Sequence, residues 1–497
     1  MISVGELSSS AGVAFGTSGV RGLVSSLTPE LCYAYTAAFI QSICLTSSSS
    51  TTNKKSIAIA MDLRPSSPNI VKACIQAIKD ADYDVVFCGA IPTPALAYYS
   101  MSNNIPCIMV TGSHIPFDRN GIKFYRADGE ISKADEFAII KERVTIPDRL
   151  QKEVDSSLLP IANLEAESQF QSRYTSLFSH IPNVLSGMHI GFYQHSSVAR
   201  DLLTSTLEAL GAKVSILERT NVFVPIDTEA VSSEDKQKGL EWGKRHFDAL
   251  ISTDGDGDRP LIGDEVGNWL RGDIVGILCA EYLQASHVVT PVNSNSALEL
   301  SSIHNSVRTR IGSPYVIAGM EALRQDLDQA SKEGSTKIVG YEANGGFLVG
   351  SDISLNGKIL TALPTRDCFL PIILLLVQAK EQGKKLSQLA DHLPLRFTAS
   401  DRSTEFSREK SHALLTSLTD SVIQQSELFM TFSNATDELK TMGLNQLDGL
   451  RMTLNNGEIV HLRPSGNAPE LRCYAEADSN ARAEEIVKAA LTNIIEA

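Results

Sequence analysis

Three times along the chain a short apolar run delivers a polar loop. PCIMV leads into TGSH at 106–114, DALIST into DGDGDR at 248–259, and KIVGY into EANGG at 337–346. Apolar runs this short, bounded by turn residues, read as buried strands. The first is preceded by SIAIAMD (56–62), a helical pattern over 67–79 and DVVFCG (84–89), the order of a βαβ unit. HIGFYQ (189–194), a helix over 197–210 and AKVSIL (212–217) repeat that order ahead of the second loop. VVTPVNSNSALEL (288–300) reads as strand, loop and helix ahead of the third. Sheets of this kind collect ligands beyond the carboxyl ends of their strands, so chemistry is expected in the three loops.

Beyond residue 395 the pattern changes. Helical periodicity over 408–427 and 481–497 flanks GLRMTLNNGEIVHLRPSG (449–466), a strand-like stretch in which Asn455-Asn456-Gly457 is a hairpin-turn signal. A chain of 497 residues suggests about three domains at roughly 150 each, but the repeats fit four better. The expected fold is therefore α/β: three related mixed α/β domains followed by a smaller α+β C-terminal domain. The expected limits are 1–165, 166–268, 269–394 and 395–497. A helix over 27–48, opened by Thr28-Pro29-Glu30 and interrupted by the polar stretch from Ser47, belongs to the first of these, and a helix-rich charged stretch from 132 to about 173 closes it and leads to the second.

The 44 Lys and Arg against 58 Asp and Glu give a formal net charge of -14, so no nucleic acid is expected as the main partner. With 43% hydrophobic and 21% charged residues the composition is that of a globular protein rather than a disordered one. The strongest apolar run, CFLPIILLLV (368–377), is about half the length that spans a bilayer and contains Pro371. It reads as the start of a buried helix, and no membrane association is expected. The eight Cys include no C-x-x-C pair and the N-terminus has neither a basic leader nor a long apolar core. Buried thiols in a reducing, cytoplasmic setting are the expectation.

The loops differ in chemistry. In VTGSHIPFDRNGIKFY (110–125), two readings of Ser113 are open. It caps a Gly-Ser turn, or it bears or faces a phosphate whose charge Arg119 and Lys123 offset. An acyl-transfer triad has no support, because no G-x-S-x-G elbow is present here. In DGDGDR (254–259), Asp254, Asp256 and Asp258 alternate with glycines, so a tight turn can aim several oxygens at one hard cation such as Mg²⁺. The alternative is a solvated acidic turn, which like-charge repulsion disfavours. Arg259 stands beside it. Glu342 and Asn344 offer acceptors and a donor suited to neighbouring hydroxyls, or else form a plain turn. In the C-terminal segment Arg463, Ser465, Gly466, Asn467 and Arg472 combine guanidinium forks, a hydroxyl, an amide and backbone N–H groups, either as a phosphate cradle or as a strand-end turn. FGTSGVRG (15–22), with Arg21, carries the same chemistry, or is an irregular leader; neither loop has the G-K-[ST] ending of a Walker A motif.

In this order, FGTSGVRG, TGSHIP with NGIKFY, DGDGDR, EANGG and RPSGNAPELR resemble the α-D-phosphohexomutase superfamily, the group containing phosphomannomutases, phosphoglucomutases and phosphoglucosamine mutases. The resemblance covers essentially the whole chain. It implies a heart-shaped molecule of four domains around a central cleft. It implies further that Ser113 carries a phosphoryl group and that Asp254, Asp256 and Asp258, with an oxygen on Ser113, hold Mg²⁺. Lys123, His114, Arg21 and Arg259 are implied to line the same centre, with Lys123 assisting proton transfer. Glu342 and Asn344 fall where the family grips sugar hydroxyls. Arg463, Ser465, Gly466, Asn467 and Arg472 match the clamp on the substrate's own phosphate.

The activity implied first is interconversion of mannose 6-phosphate and mannose 1-phosphate through a phosphoserine and a hexose 1,6-bisphosphate, the latter also the activator. Phosphoglucomutase or dual activity comes next, then phosphoglucosamine mutase. A hexose monophosphate is the expected substrate and a monomer or homodimer the expected state. A metal-dependent phosphatase or a non-catalytic sugar phosphate-binding protein are the alternatives outside the family. Two departures bear on specificity. The family's sugar loop commonly ends in histidine, where this chain has Gly346, so a proton-transfer role for that histidine is absent or supplied elsewhere. Its phosphate loop often reads S-G-T-E-P, where this chain has Ser465-Gly466-Asn467-Ala468-Pro469, which keeps an amide able to donate to phosphate.

Overall fold

The apolar runs become the central strands of three mixed sheets. The computed structural model of the protein describes residues 1–16, 19–45, 55–329, 336–432, 439–465 and 469–496. In the first sheet the order is Ala14–Phe15, Val20–Leu23, Arg119–Arg126, Cys107–Val110, Ser56–Met61, Asp84–Ala90, with Gly129–Glu130 paired to the third of these. Ser56–Met61 runs parallel to both Asp84–Ala90 and Cys107–Val110. Its side chains alternate between two covered faces: Ile57 and Ile59 pack in one cluster with Phe39 and Val71, Ala58 and Ala60 in another with Leu96 and Tyr99. A strand buried on both faces is apolar at every position, which is why the run is continuous rather than alternating.

The second sheet has the order Lys213–Leu217, His189–Tyr193, Ala249–Thr253, Pro260–Gly263, and the third Ser306–Thr309, His287–Pro291, Ile338–Tyr341, Phe347–Val349, Leu363–Asp367. All three sheets share one device. A polar loop leaves a central strand and returns as an antiparallel neighbour: Cys107–Val110 with Arg119–Arg126, Ala249–Thr253 with Pro260–Gly263, Ile338–Tyr341 with Phe347–Val349. The three loops are thus the same structural position used three times.

The fourth sheet is antiparallel throughout, in the order Phe397–Ser403, Leu471–Ala477, Ile459–Pro464, Leu450–Leu454, Thr441–Asn445. Its core is its own, with Leu428, Met452, Val460 and Ile486. The other three units share one continuous cluster that includes Met109, Phe170, Ile190, Leu278 and Leu374. At about 1.5–3 kcal/mol for each large apolar side chain removed from water, that shared burial joins the first three units firmly. Phe369–Gln382 lies at its heart, buried from Phe369 through Ala379, with Pro371 in the first turn where a missing N–H is tolerated.

Several elements differ from their sequence expectations. The expected helix over 27–48 is α-helical at Pro29–Phe39, then widens to a π-helical turn at Ile40–Cys44; residues 46–54 lie outside the described residues. The helix over 408–427 is two helices, Arg408–Asp420 and Val422–Met430, because Ser421 leaves the helical conformation and its side chain accepts from Gln424 N to cap the second. The third repeat's helix shrinks to a 3₁₀ turn at Ser296–Leu298, opened by Asn295. Helix Arg200–Ala209 starts three residues late, since Ser197 and Val198 are engaged by the loops beside them. All eight cysteines are free thiols. Among the described residues no helix is long and apolar enough to cross a membrane.

Candidate active site

The chain leaves Cys107–Val110 through Thr111 and Gly112 into Ser113, which is fully buried and adopts a left-handed backbone, φ 54°. That conformation is uncommon outside glycine and persists only where neighbours hold it. Thr111 Oγ1 accepts from Ser113 N at 2.7 Å. The buried guanidinium of Arg64 donates to the carbonyls of Ser113 (3.0 Å), Ile115 (2.6 Å), Pro116 (2.8 Å) and Arg119 (2.8 Å). It also pairs with Asp62 at 3.2 Å, and stacks over the Phe223 ring at 3.9 Å. Five acceptors around one guanidinium fix the loop from beneath.

Ser113 Oγ donates to Asp254 Oδ2 at 2.6 Å, which brings the first loop onto the second. The turn of the second loop closes on itself. Asp254 Oδ1 accepts from the N–H groups of Asp258 and Arg259, both at 3.2 Å, and Gly257 supplies the left-handed residue the turn needs, φ 64°. Asp256 Oδ2 accepts from Thr93 Oγ1 and Lys123 Nζ, both at 2.7 Å, and Asp258 Oδ2 accepts from Lys123 Nζ at 2.7 Å. The other oxygens, Asp256 Oδ1 and Asp258 Oδ1, are buried without a hydrogen-bond partner. Oxygens of the three aspartates lie within 4.8 Å of one another. Two orphaned buried carboxylate oxygens converging with a third carboxylate are a donor set that fits a divalent cation of the hard, oxygen-seeking kind.

The electrostatics express the same crowding. Burial pushes the Asp254 carboxyl well above the usual range, and the charges of Asp256 and Asp258 add to the rise. Burial raises Asp256 and Asp258 too. Lys123 outweighs it for Asp256, and Arg366, Lys123 and Arg259 do so for Asp258, so both stay low. Burial works against the Lys123 ammonium, but Asp256 and Asp258 hold it protonated, above its ordinary value. His114 Nδ1 accepts from Arg259 Nη1 at 3.0 Å, which places the ring proton on Nε2. Burial, Arg259 and Arg21 keep that imidazole neutral. The side chain of Arg21, on strand Val20–Leu23, makes no hydrogen bond or ion pair among the described residues. Burial and the neighbouring Arg259 and Arg366 lower it to about 10. Arg21 and Arg259 are thus a pair of crowded guanidiniums beside Ser113, an arrangement that an incoming anion relieves.

The third loop reaches the centre through a residue the sequence did not single out. Glu342 is buried, and its Oε2 accepts from Arg366 Nη1 at 3.2 Å. Arg366 Nη2 and Nε also donate to Asp258 Oδ2, at 2.8 and 3.1 Å. Asn344 Oδ1 accepts from Gly346 N at 2.9 Å and Asn344 O from Thr228 Oγ1 at 2.7 Å, so the amide oxygen shapes its own loop and its NH₂ is the group left for a ligand.

The fourth loop is held separately. Arg463 Nε is 2.9 Å from an Asp448 oxygen and Ser465 N donates to Glu470 O at 2.8 Å. Gly466 and Asn467 lie outside the described residues. Among the described residues no hydrogen bond or ion pair joins Arg463 or Arg472 to the Ser113 cluster. Glu229 is the electrostatic link: burial and Asp227 raise it, while Arg271, Arg259 and Arg472 oppose that rise. The structure therefore brings Ser113, His114, Lys123, Asp254, Asp256, Asp258, Arg259 and Glu342 into one network, whose charges Arg21 also feels.

Arg64, Thr93 and Arg366 went unread in the sequence. Arg64 and Thr93 each follow a first-sheet strand by three residues, and Arg366 is next to last in its strand. Applying the strand-end rule to every strand, and not only to those with glycine-rich loops, would have flagged all three.

Family models match the chain in three stretches. These are the phosphoglucomutase/phosphomannomutase alpha/beta/alpha domain I over 12–148, domain III over 271–397, and the C-terminal domain over 423–492. A phosphomannomutase of Salmonella muenchen is 46% identical over 97% of this chain and 96% of its own length. One from Sinorhizobium fredii is 42% identical over 96% and 97%. The crystal structure of a phosphoglucomutase/phosphomannomutase family protein from Burkholderia thailandensis, 18% identical, superposes with a TM-score of 0.71 over 100% of this chain and 98% of that one. With matched models over more than half its length and relatives aligned almost end to end, the chain belongs to the phosphoglucomutase/phosphomannomutase family.

Proposed function

We propose that the protein is a phosphomannomutase, an intramolecular phosphotransferase that interconverts mannose 6-phosphate and mannose 1-phosphate. The observation that carries this reading is the junction of Ser113 with the three-aspartate turn: a buried hydroxyl 2.6 Å from Asp254, in a field of Lys123, Arg259 and Arg21. The 46% and 42% identical relatives, both phosphomannomutases, support the choice of sugar.

In the proposed cycle Ser113 carries a phosphoryl group. The Oγ–P bond breaks as the phosphoryl group passes to the free hydroxyl of a hexose monophosphate, and the proton of that hydroxyl ends on Ser113 Oγ, giving hexose 1,6-bisphosphate and the free serine. The sugar then presents its other phosphate, which returns to Ser113, so no phosphate is released. Asp254, Asp256 and Asp258 would hold Mg²⁺, which when bound offsets the charge of the phosphoryl oxygens and orients them. The residues of the chain do the rest. Lys123, as an ammonium, and Arg259 place positive charge where equatorial phosphoryl oxygens gather it. Arg64 and Thr111 keep Ser113 in its left-handed conformation. Glu342 and the Asn344 amide accept and donate to sugar hydroxyls. Arg463, Ser465 and Arg472, together with Gly466 and Asn467, receive the phosphate that is not reacting.

We assign these roles to units spanning 1–165, 166–268, 269–394 and 395–497. Every proposed group comes from one chain, so a monomer or a homodimer serves equally. The test is isomerisation of mannose 1-phosphate, glucose 1-phosphate and glucosamine 1-phosphate side by side, with Mg²⁺ and a trace of hexose 1,6-bisphosphate. Highest kcat/KM for mannose 1-phosphate is expected; net phosphate release without interconversion would overturn the reading in favour of a phosphatase.

A further inference from the structure

Gly346 ends the third loop, and nothing in its backbone calls for glycine. Its neighbour Gly345 has φ 88°, but Gly346 itself is not left-handed. What excludes a side chain is Arg366. A Cβ on Gly346 would stand 2.6 Å from Arg366 Cδ and 2.7 Å from its Cγ. The stem of Arg366 therefore lies in the space that any larger residue at 346 would occupy.

From that position the guanidinium joins two loops. It makes two bonds to Asp258 Oδ2, at 2.8 and 3.1 Å, and one to Glu342 Oε2, at 3.2 Å, with all three side chains buried. Because Lys123 Nζ also binds Asp258 Oδ2, that oxygen is fully engaged, while Asp258 Oδ1 accepts no hydrogen bond and has only the Arg259 Nε at 3.6 Å beside it. Arg366 thus occupies Asp258 Oδ2 and leaves Oδ1 as the oxygen that would serve a cation, and it holds Glu342 by one oxygen so that the other is left for a ligand.

We propose that Arg366 and Gly346 are a matched pair, in which Arg366 is a positioning residue that sets sugar discrimination by locking Glu342 to the metal-binding turn. The inference rests on the mutase reading above.

The test combines a double-mutant cycle with two further readouts. Arg366→Ala, Gly346→Ala and the double variant are compared with the native protein in thermal melting. Gly346→Ala is expected to lower the Tm of the native protein clearly and to change Arg366→Ala by at most about a quarter as much, since the obstructing stem is gone. Equal effects in both backgrounds would overturn the pairing. Mg²⁺ titration of the substrate-free protein is expected to show binding about tenfold tighter in Arg366→Ala, because one cation sharing Asp258 is removed. Weakened binding would mean that Arg366 serves only to hold the turn together.

The third readout is the ratio of kcat/KM for mannose 1-phosphate to that for glucose 1-phosphate, which a loss of folded protein cannot move. It is measured in Arg366→Lys, which keeps the charge and stem and so guards against failure of the alanine variant to fold. The ratio is expected to fall about fivefold or more, since one ammonium cannot span Asp258 and Glu342 as the fork does. An unchanged ratio would overturn the positioning role. Native protein that interconverts neither sugar refutes the mutase reading itself, and the melting and Mg²⁺ experiments still decide the pairing.

Discussion

Ser113 Oγ and Asp254 Oδ2 are 2.6 Å apart although 141 residues separate them in the chain. The contact exists because both residues follow equivalent strands of a repeated sheet, Cys107–Val110 and Ala249–Thr253, whose carboxyl ends are turned toward each other. Thr93, in the first unit, closes the junction from the other side: its N–H donates to Asp256 O at 3.0 Å and its hydroxyl to Asp256 Oδ2 at 2.7 Å. A nucleophile loop and a metal loop held this tightly leave little room for independent motion.

Arg64 is the keystone of the Ser113 loop. Replacing it with Ala leaves Asp62 buried without its cation and frees four carbonyls, a change that costs about 3–5 kcal/mol. Urea unfolding at neutral pH measures the loss. Arg64→Lys, which cannot supply the fork, should recover less than half of it.

Asp256→Asn removes a charge that Lys123 and the cation share. Mg²⁺ binding is expected to weaken by about tenfold and kcat to fall by about 100-fold, read from turnover against Mg²⁺ concentration. Lys123→Met should separate the two effects. With the competing ammonium gone Mg²⁺ binds more tightly, while kcat still falls by about 100-fold.

Much of this was legible in the sequence because the loops carry unusual residues where ordinary turns would not. Alternating Asp and Gly at 254–258 and the Gly-Ser-His step at 112–114 announce themselves, and the apolar runs before them fix the strands. The convergence was not legible. That Lys123 spans Asp256 and Asp258, or that Arg366 ties Asp258 to Glu342, depends on how separate sheets pack, and no local pattern encodes that. The break at Ser421 was missed for a different reason: the helical periodicity runs through it, and a single serine able to cap a new helix outcompetes continuity.

Two further buried histidines, one of them bonded to the residue that leads into the metal turn, contribute to acid lability. His195 and His461 are buried and neutral, each lowered to about 4 chiefly by burial, with Nε2 donating to the carbonyls of Thr253 and Asp448. Their folded values lie below the unfolded value near 6.5, so between these values the unfolded chain binds more protons and stability falls as the pH drops. From pH 7 to 5 each histidine should remove about 2 kcal/mol. Urea midpoints at the two pH values check this, and His461→Gln should flatten the dependence by roughly half of the combined loss.

The most direct measurement follows the phosphoryl group itself. The purified protein is incubated with Mg²⁺ and hexose 1,6-bisphosphate labelled in its phosphates, quenched, and mapped by peptide mass and label, then chased with unlabelled mannose 6-phosphate. Label on Ser113 that leaves with the sugar during the chase is the expected result. Label confined to another residue, or a Ser113→Ala variant that interconverts the sugar at near-native rate, would contradict transfer through Ser113.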